Sequence, residues 1–222
     1  ILRGDWPIIG PKNGLELPPR VLHLANGAPD IDKKLLFVKR LTNSIPEPNG
    51  IMVFCNNHER ARKVWEQLRY MDIPSELLTG NRSKESRDLA IRRMTLGEVE
   101  VLVATDAAMR GLDFRDLTHV INFELPGTAE SYAHRAGRCG RMGRNGIVIS
   151  LGGGGADNVR LQHFAQDLDF ELFGANVNDG QLGVELDSQA PHLDQRRNDE
   201  RKKRARLARE EHVAAMQGTS EM

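Results

Sequence analysis

The stretch IMVFCNNHERARKVWEQLRYMDIPSELL, residues 51–78, predicts a strand, a helix and a second strand in succession. It opens with a four-residue apolar run after the turn-forming sequence at 46–50, as expected for a buried strand. Apolar residues then recur at helical spacing through 58–71, and Pro74 closes the helix before a strand pattern at 75–78. A strand–helix–strand unit of this length favours two parallel strands in one sheet.

The same alternation continues along the chain. Ser83 can cap a helix that runs to about Met94, with Leu89, Ala90 and Met94 predicted to face inward. Further strands are predicted at 99–104, 118–123 and 147–151, and a further helix at 128–138. The predicted fold class is therefore α/β, a parallel sheet with helices on both faces, in which ligands bind beyond the carboxyl ends of the strands.

Opposite charges are segregated along the chain, although 31 basic and 31 acidic residues give a formal net charge of zero. Residues 161–195 contain acidic residues but no Lys or Arg, whereas eight basic residues lie between Arg196 and Arg209. This pattern predicts four parts. They are an irregular lead-in at 1–20, a folded domain at 21–172, an acidic, glycine-containing connector at 173–193 and a basic helical tail at 194–222.

The composition excludes several classes of protein. No run of eighteen apolar residues is present, so we expect no membrane partner. Cys55 and Cys139 form no CxxC pair, which excludes a disulfide framework or a cysteine zinc site and favours a reducing, intracellular compartment. The chain begins at Ile1 rather than Met, so we expect a piece of a longer protein, with cytoplasm, nucleus and mitochondrion all left open.

Two segments carry most of the chemistry. In HRAGRCGRMGR, residues 134–144, arginine recurs every third residue and glycine precedes three of the four arginines. Planar guanidinium groups on a backbone that can approach closely are typical of phosphate binding. In VATDAAMRGLDF, residues 103–114, a strand is followed by Thr, Asp, Arg and Gly, which suits phosphate and ribose contacts. A capped loop with an internal Asp–Arg pair is the alternative for this second segment.

These segments resemble motifs VI and V of DEAD-box RNA helicases, and IMVFCNN at 51–57 resembles their motif IV. LLTGNRSKESR at 77–87 lies where that family has a phosphate-contacting loop, and the resemblance covers about residues 20–170. It implies the second, C-terminal RecA-like domain of such an enzyme. The sequence contains no GxxxxGK[ST] motif and no Asp-Glu-Ala-Asp motif. The resemblance therefore implies that ATP and Mg²⁺ are bound mainly by a first RecA-like domain of the same protein.

The resemblance also implies a role for individual residues at the nucleotide. Arg138 and Arg141 match the arginine fingers that reach the γ-phosphate in the closed enzyme, and are the expected catalytic residues. The residues that match ATP-binding and interdomain coupling positions are Asp113, Arg110, His134 and Arg135. Asp113 is expected to accept a hydrogen bond from the ribose. No metal ligand is expected in this chain.

A second set of residues matches positions that hold the RNA backbone in the family. These residues are Asn56, Asn57, Gly80, Arg87 and Thr105. With only two Trp and two Tyr in the chain, we expect contact with phosphate and sugar rather than base stacking.

The implied function is ATP-dependent unwinding or remodelling of RNA or RNA–protein complexes. The alternative is a non-catalytic RNA-binding or assembly subunit of a ribonucleoprotein, such as a maturing ribosome. The tail at 194–222 is either a solvated helix or a basic arm that lies on RNA or on a ribonucleoprotein partner. A DNA helicase is also compatible with the motifs.

Overall fold

The computed structural model describes residues 17–18, 20–45, 47–109, 117–141, 143–152 and 154–185. The strands in these residues are β1 Val21–Asn26, β2 Ile51–Phe54, β3 Ser75–Leu78, β4 Val101–Ala104, β5 His119–Asn122, β6 Gly146–Leu151, β7 Leu172–Asn178 and β8 Gln181–Glu185. The helices are α1 Ile31–Thr42, α2 His58–Tyr70, α3 Lys84–Thr95, α4 Ala129–Ala136 and α5 Gly155–Asp167. Within the described part of the chain, none of these helices combines the length and the apolar character that crossing a membrane requires.

The strands form one sheet in the order β3-β4-β2-β5-β6-β1-β7-β8. All neighbouring pairs are parallel except β7 and β8, which are antiparallel. Helices α1 and α2 pack on one face of the sheet, and α3, α4 and α5 pack on the other. The predicted parallel sheet with helices on both faces is therefore confirmed, and β2, β4 and β5 are fully buried at its centre.

Side-chain caps fix where the helices begin. The side chains of Asp30, Asn57, Ser83 and Thr128 each accept a hydrogen bond from the backbone N–H three residues later. The predicted Ser83 cap is thus confirmed. The inward position predicted for Leu89 is wrong, because its side chain is 57% exposed. Ala90 takes the buried position, and successive side chains on a helix point about 100° apart.

The connector predicted at 173–193 contains two strands of the sheet, β7 and β8, which together extend over 172–185. Here β7 pairs with β1 and turns back into β8 through Asp179 and Gly180, both of which have positive φ. Asp-Gly at a two-residue turn is a strong hairpin signal. Its flanking residues include glycine and asparagine, so the strand pattern on either side is weak. Residues 186–193 and the tail at 194–222 lie outside the described residues.

Two buried histidines make the stability of this domain depend on pH. Nδ1 of His23 on β1 lies 2.9 Å from the Tyr132 hydroxyl, and the His23 ring stacks on Phe170 at a centroid distance of 4.1 Å. Burial lowers the pKa of His23 to about 3 and that of His119 to about 4. Both are therefore neutral in the folded chain at pH 5, whereas an unfolded histidine, with a pKa near 6.5, is protonated.

We expect the free energy of unfolding to fall as the pH is lowered from 7 to 5. Each buried histidine contributes roughly 2 kcal/mol to that fall, because only the unfolded chain takes up the proton. Urea unfolding at both pH values measures the difference. His23→Gln should reduce it, whereas His163→Gln, which changes an exposed histidine on α5, should not. Equal pH dependence in both variants would contradict this account.

Candidate functional site

The carboxyl ends of three neighbouring strands bring polar residues together, as the sequence predicts for a parallel sheet. Asn56 follows β2, Asp106 follows β4, and Glu124 follows β5. Because β2 lies between β4 and β5 in the sheet, these segments meet at one edge. Helix α4 is capped by Thr128, packs Tyr132 into the core and ends beside this edge, where it contributes Arg135.

Arg135 joins these segments through all five of its guanidinium N–H groups. Its Nε and Nη2 donate to the two carboxylate oxygens of Asp106 at 2.7 and 2.8 Å. Nη1 donates to Asn122 Oδ1 at 3.2 Å and to the Glu124 carbonyl at 2.8 Å, and Nη2 also donates to Asn56 Oδ1 at 2.9 Å. We call these five residues the Arg135 cluster. A guanidinium offers five donors, so its hydrogen-bonding capacity is filled within the domain.

The surroundings of Arg135 are those of an internal structural residue. Its side chain is 1% exposed, and its guanidinium lies over the Phe54 ring at 5.1 Å. Asn122 is also buried and donates to Ser150 Oγ at 3.1 Å. The role in ATP binding and interdomain coupling that the resemblance implies for Arg135 stays a prediction. Within the domain, Arg135 holds together the segments that carry motifs IV, V and VI.

Glu124 belongs to the site but was missed by the sequence reasoning. Its carboxylate accepts from the Asn56 backbone N–H and from Arg60 Nε, both at 3.0 Å. Lys34 Nζ donates to the neighbouring Phe123 carbonyl at 2.8 Å, and burial lowers the pKa of this lysine. The signal that could have found Glu124 is its position directly after a predicted strand, where ligands collect in parallel sheets.

The side chains of Asn56 and Asn57 serve the fold. Asn56 Nδ2 donates to the Leu125 carbonyl at 3.0 Å while its Oδ1 accepts from Arg135. Asn57 Oδ1 accepts from the Arg60 N–H at 2.8 Å and caps α2. Their predicted contact with RNA phosphate stays a prediction.

The other residues predicted to bind RNA lie around the ends of β3 and β4. A Cβ on Gly80 would lie 3.8 Å from Ala107 Cβ, so the loop after β3 touches the turn after β4. Thr105 is buried, and its N–H donates to the Leu78 carbonyl at 3.3 Å. Arg87 is half-buried on α3, and its buried Nε has no hydrogen-bond partner among the described residues.

The remaining motif VI residues lie at the end of α4 and in the arginine loop, which we define as residues 137–145 between α4 and β6. His134 is exposed on the helix, Arg138 is half-buried, and Arg141 is exposed. Arg141 Nε donates to the Gly137 carbonyl at 2.7 Å, which holds that side chain beside the helix end. The Cys139 side chain, also in this loop, is buried. Burial raises the pKa of its thiol to about 12, so Cys139 is a packing residue. Arg110 and Asp113 lie outside the described residues.

The sequence matches the family described as helicase conserved C-terminal domain over residues 33–143, which is half of the chain. The chain belongs to this family. Among curated relatives, the helicase domain is 43% identical over 100 residues to the DEAD-box ATP-dependent RNA helicase CshC of Bacillus cereus, covering 45% of this chain and 26% of that protein. It is 40% identical over 124 residues to the ATP-dependent RNA helicase SrmB of Escherichia coli, covering 56% of this chain and 28% of that protein.

Solved structures agree with the fold of the helicase domain. The E. coli DEAD-box protein SrmB, bound to regulator of ribonuclease activity A, superposes with a TM-score of 0.66 at 34% identity. That match covers 72% of this chain and 92% of the SrmB chain. S. cerevisiae Dbp5 bound to RNA and ADP BeF3 superposes with a TM-score of 0.63 at 22% identity, over 72% of this chain and 42% of that chain, and shows the fold alone. The predicted C-terminal RecA-like domain of the DEAD-box type is thus confirmed.

The matches to three curated RNA-helicase relatives span only 18–26% of the length of those proteins. The matched range 33–143 includes Asn56, Asp106 and Glu124, so the helicase domain contains the three strand ends that the Arg135 cluster connects. It also includes Arg138 and Arg141. The roles expected for individual residues at the nucleotide and at RNA remain predictions.

Proposed function

We propose that the helicase domain works as the second RecA-like domain of an ATP-dependent RNA helicase. The relatives that support this are named ATP-dependent RNA helicases. Because the match spans a minor part of those proteins, catalysis is assigned to a longer protein that also contains a first RecA-like domain. We also place that protein in a reducing intracellular compartment, which suits two buried thiols.

The observation that carries this proposal is the Arg135 cluster. It fixes α4 against the ends of β2, β4 and β5, and the arginine loop continues from the end of α4. Guanidinium groups on a glycine-rich loop are a donor set that fits the terminal phosphate of ATP. Bound ATP would supply the γ-phosphoryl group, and Mg²⁺ would neutralise part of the negative charge of that group. Arg138 and Arg141 would stabilise the negative charge that develops on that group during transfer.

RNA binding is assigned to the loops after β3 and β4. Gly80 and Thr105 lie where these loops touch, and Arg87 follows on the first turns of α3. The buried Arg87 Nε lacks a hydrogen-bond partner among the described residues, which costs free energy unless a ligand supplies an acceptor. An RNA phosphate has the charge and the acceptor oxygens to do so. Such contacts read the backbone and not the base sequence.

We expect RNA to stimulate ATP turnover by the full-length protein and Arg87→Ala to weaken that stimulation. The RNA concentration for half-maximal stimulation should rise about tenfold or more, as for a lost hydrogen bond to a charged group. The salt dependence of RNA binding should fall by roughly one unit of slope. Steady-state turnover over a titration of single-stranded RNA, at several salt concentrations, measures both effects.

Arg92→Ala is the matched control, because Arg92 is an exposed arginine in the last turn of the same helix. It should leave the RNA titration unchanged. Absence of ATP turnover with RNA, or equal stimulation by DNA, would contradict the proposed function. Absence of turnover with RNA would favour the assembly role in a ribonucleoprotein. That alternative depends mainly on the basic residues 196–209, which lie outside the described residues.

A further inference from the structure

The backbone conformation of the arginine loop depends partly on contacts with another segment of the chain. Gly140 and Gly143 both have positive φ, at +69° and +75°, a region that favours glycine. Glycine-rich backbone has many alternative conformations, so Arg138 and Arg141 would not be held in one position by the loop sequence alone. The loop has hydrogen bonds of its own, among them Arg141 Nε to the Gly137 carbonyl, and contacts from another part of the chain restrict its backbone further.

Those contacts come from the segment that enters β1. The N–H of Gly146, the first residue of β6 after the loop, donates to the Arg20 carbonyl at 2.8 Å. The Arg20 side chain then donates from Nη1 to the Gly143 carbonyl at 2.9 Å. Arg20 therefore holds Gly143 in the loop with its side chain, and the start of β6 directly after the loop with its backbone.

The same segment also covers the middle of the loop. A Cβ on Gly140 would lie 2.5 Å from Val21 Cγ2 and 3.3 Å from Pro18 Cβ, so the backbone of Gly140 lies directly against the entering segment. Val21 and Leu17 pack in turn against the core beneath α4. The entering segment is thus fixed to the core on one side and to the arginine loop on the other.

We infer that Arg20 is a positioning residue for the arginine fingers, an inference that rests on the proposed function. In a helicase whose first RecA-like domain precedes this one, the chain between the two domains passes through residues 17–20. That connection would then contact the loop that carries Arg138 and Arg141. Movement of the connection as the domains close would act on the backbone of the loop that carries these arginines.

Arg20→Ala and Arg20→Lys in the full-length protein test this inference. Alanine removes the bond to the Gly143 carbonyl, and RNA-stimulated ATP turnover should fall roughly fivefold to tenfold, with the KM for ATP, RNA binding and the thermal midpoint unchanged. Lysine should restore most of the turnover, because a carbonyl needs only one donor. Amide hydrogen exchange at 139–146 should be faster in Arg20→Ala than in the wild type or Arg20→Lys. Arg62→Ala, which changes an exposed arginine paired with Glu66 on α2, is the control.

Three outcomes would overturn the inference. Unchanged turnover and exchange in Arg20→Ala would show that the loop is held without this side chain. A joint fall of turnover and thermal midpoint would show a general structural role, and failure of lysine to restore turnover would show that the guanidinium itself contacts a ligand. If the wild type lacks RNA-stimulated turnover, the proposed function fails, whereas the exchange measurement still decides whether Arg20 holds the loop.

Discussion

We expect Arg138→Ala and Arg141→Ala each to lower RNA-stimulated ATP turnover of the full-length helicase by about 10³–10⁵-fold, the range for arginine fingers in other phosphoryl-transfer enzymes. Phosphoryl transfer spreads negative charge over the equatorial and leaving oxygens, and a guanidinium in a closed cleft stabilises it. Arg138 is half-buried and Arg141 is exposed, so neither substitution should unfold the domain. Steady-state turnover, ATP affinity and thermal stability should be measured together. Lysine should substitute poorly at both positions, since it keeps the charge but loses the planar fork.

Arg144→Ala supplies the matched control for this prediction. Arg144 is exposed in the same loop, three residues beyond Arg141, and lies outside the positions that match arginine fingers. Its replacement should change turnover by less than about tenfold. If Arg138→Ala and Arg141→Ala keep near wild-type turnover, the fingers are assigned wrongly and the assembly role becomes the better account of the arginine loop.

The central strands could be predicted from sequence because their burial leaves a direct pattern. In β2 and β4 all four residues are apolar and fully covered, so a short apolar run between turn signals is sufficient. The β7–β8 hairpin has half-exposed positions and glycines, and only its Asp-Gly turn gave a usable signal. Patterns of apolar residues thus predict the centre of this sheet better than its edge.

The separate roles of the motif VI arginines could not be predicted from their even spacing. Arg135 lies inside α4 and points to the sheet, whereas Arg138 and Arg141 follow the end of the helix at Gly137. A boundary of one or two residues therefore decides which arginine is buried. The partners of Arg135 come from residues 11 to 79 positions away, so only the sheet order shows that they meet.

Removing the Arg135 side chain should have the largest effect on stability. Arg135→Met leaves Asn56 Oδ1, Asn122 Oδ1 and the Glu124 carbonyl without their donor at a site that is almost fully buried. A buried acceptor left without its donor costs about 1–3 kcal/mol, and with several such acceptors we expect the thermal midpoint to fall by roughly 10 °C. Arg62→Met, at an exposed pair with Glu66, should change stability by less than about 1 kcal/mol.

Arg135→Lys separates the geometry of the cluster from its charge. Lysine offers three donors from one atom, so it cannot serve two Asp106 oxygens, two amide oxygens and a carbonyl together. We therefore expect Arg135→Lys to destabilise the domain almost as much as Arg135→Met, although it keeps the positive charge. Asp106→Asn should cost less, because the Asp106 side chain is 45% exposed and water can replace part of the interaction. Urea unfolding of both single variants and the double variant gives their coupling, which should lie within about 0.5–3 kcal/mol. A stable Arg135→Lys variant with near wild-type turnover would show that charge alone is sufficient, and that the five directed bonds do not hold motifs IV, V and VI together.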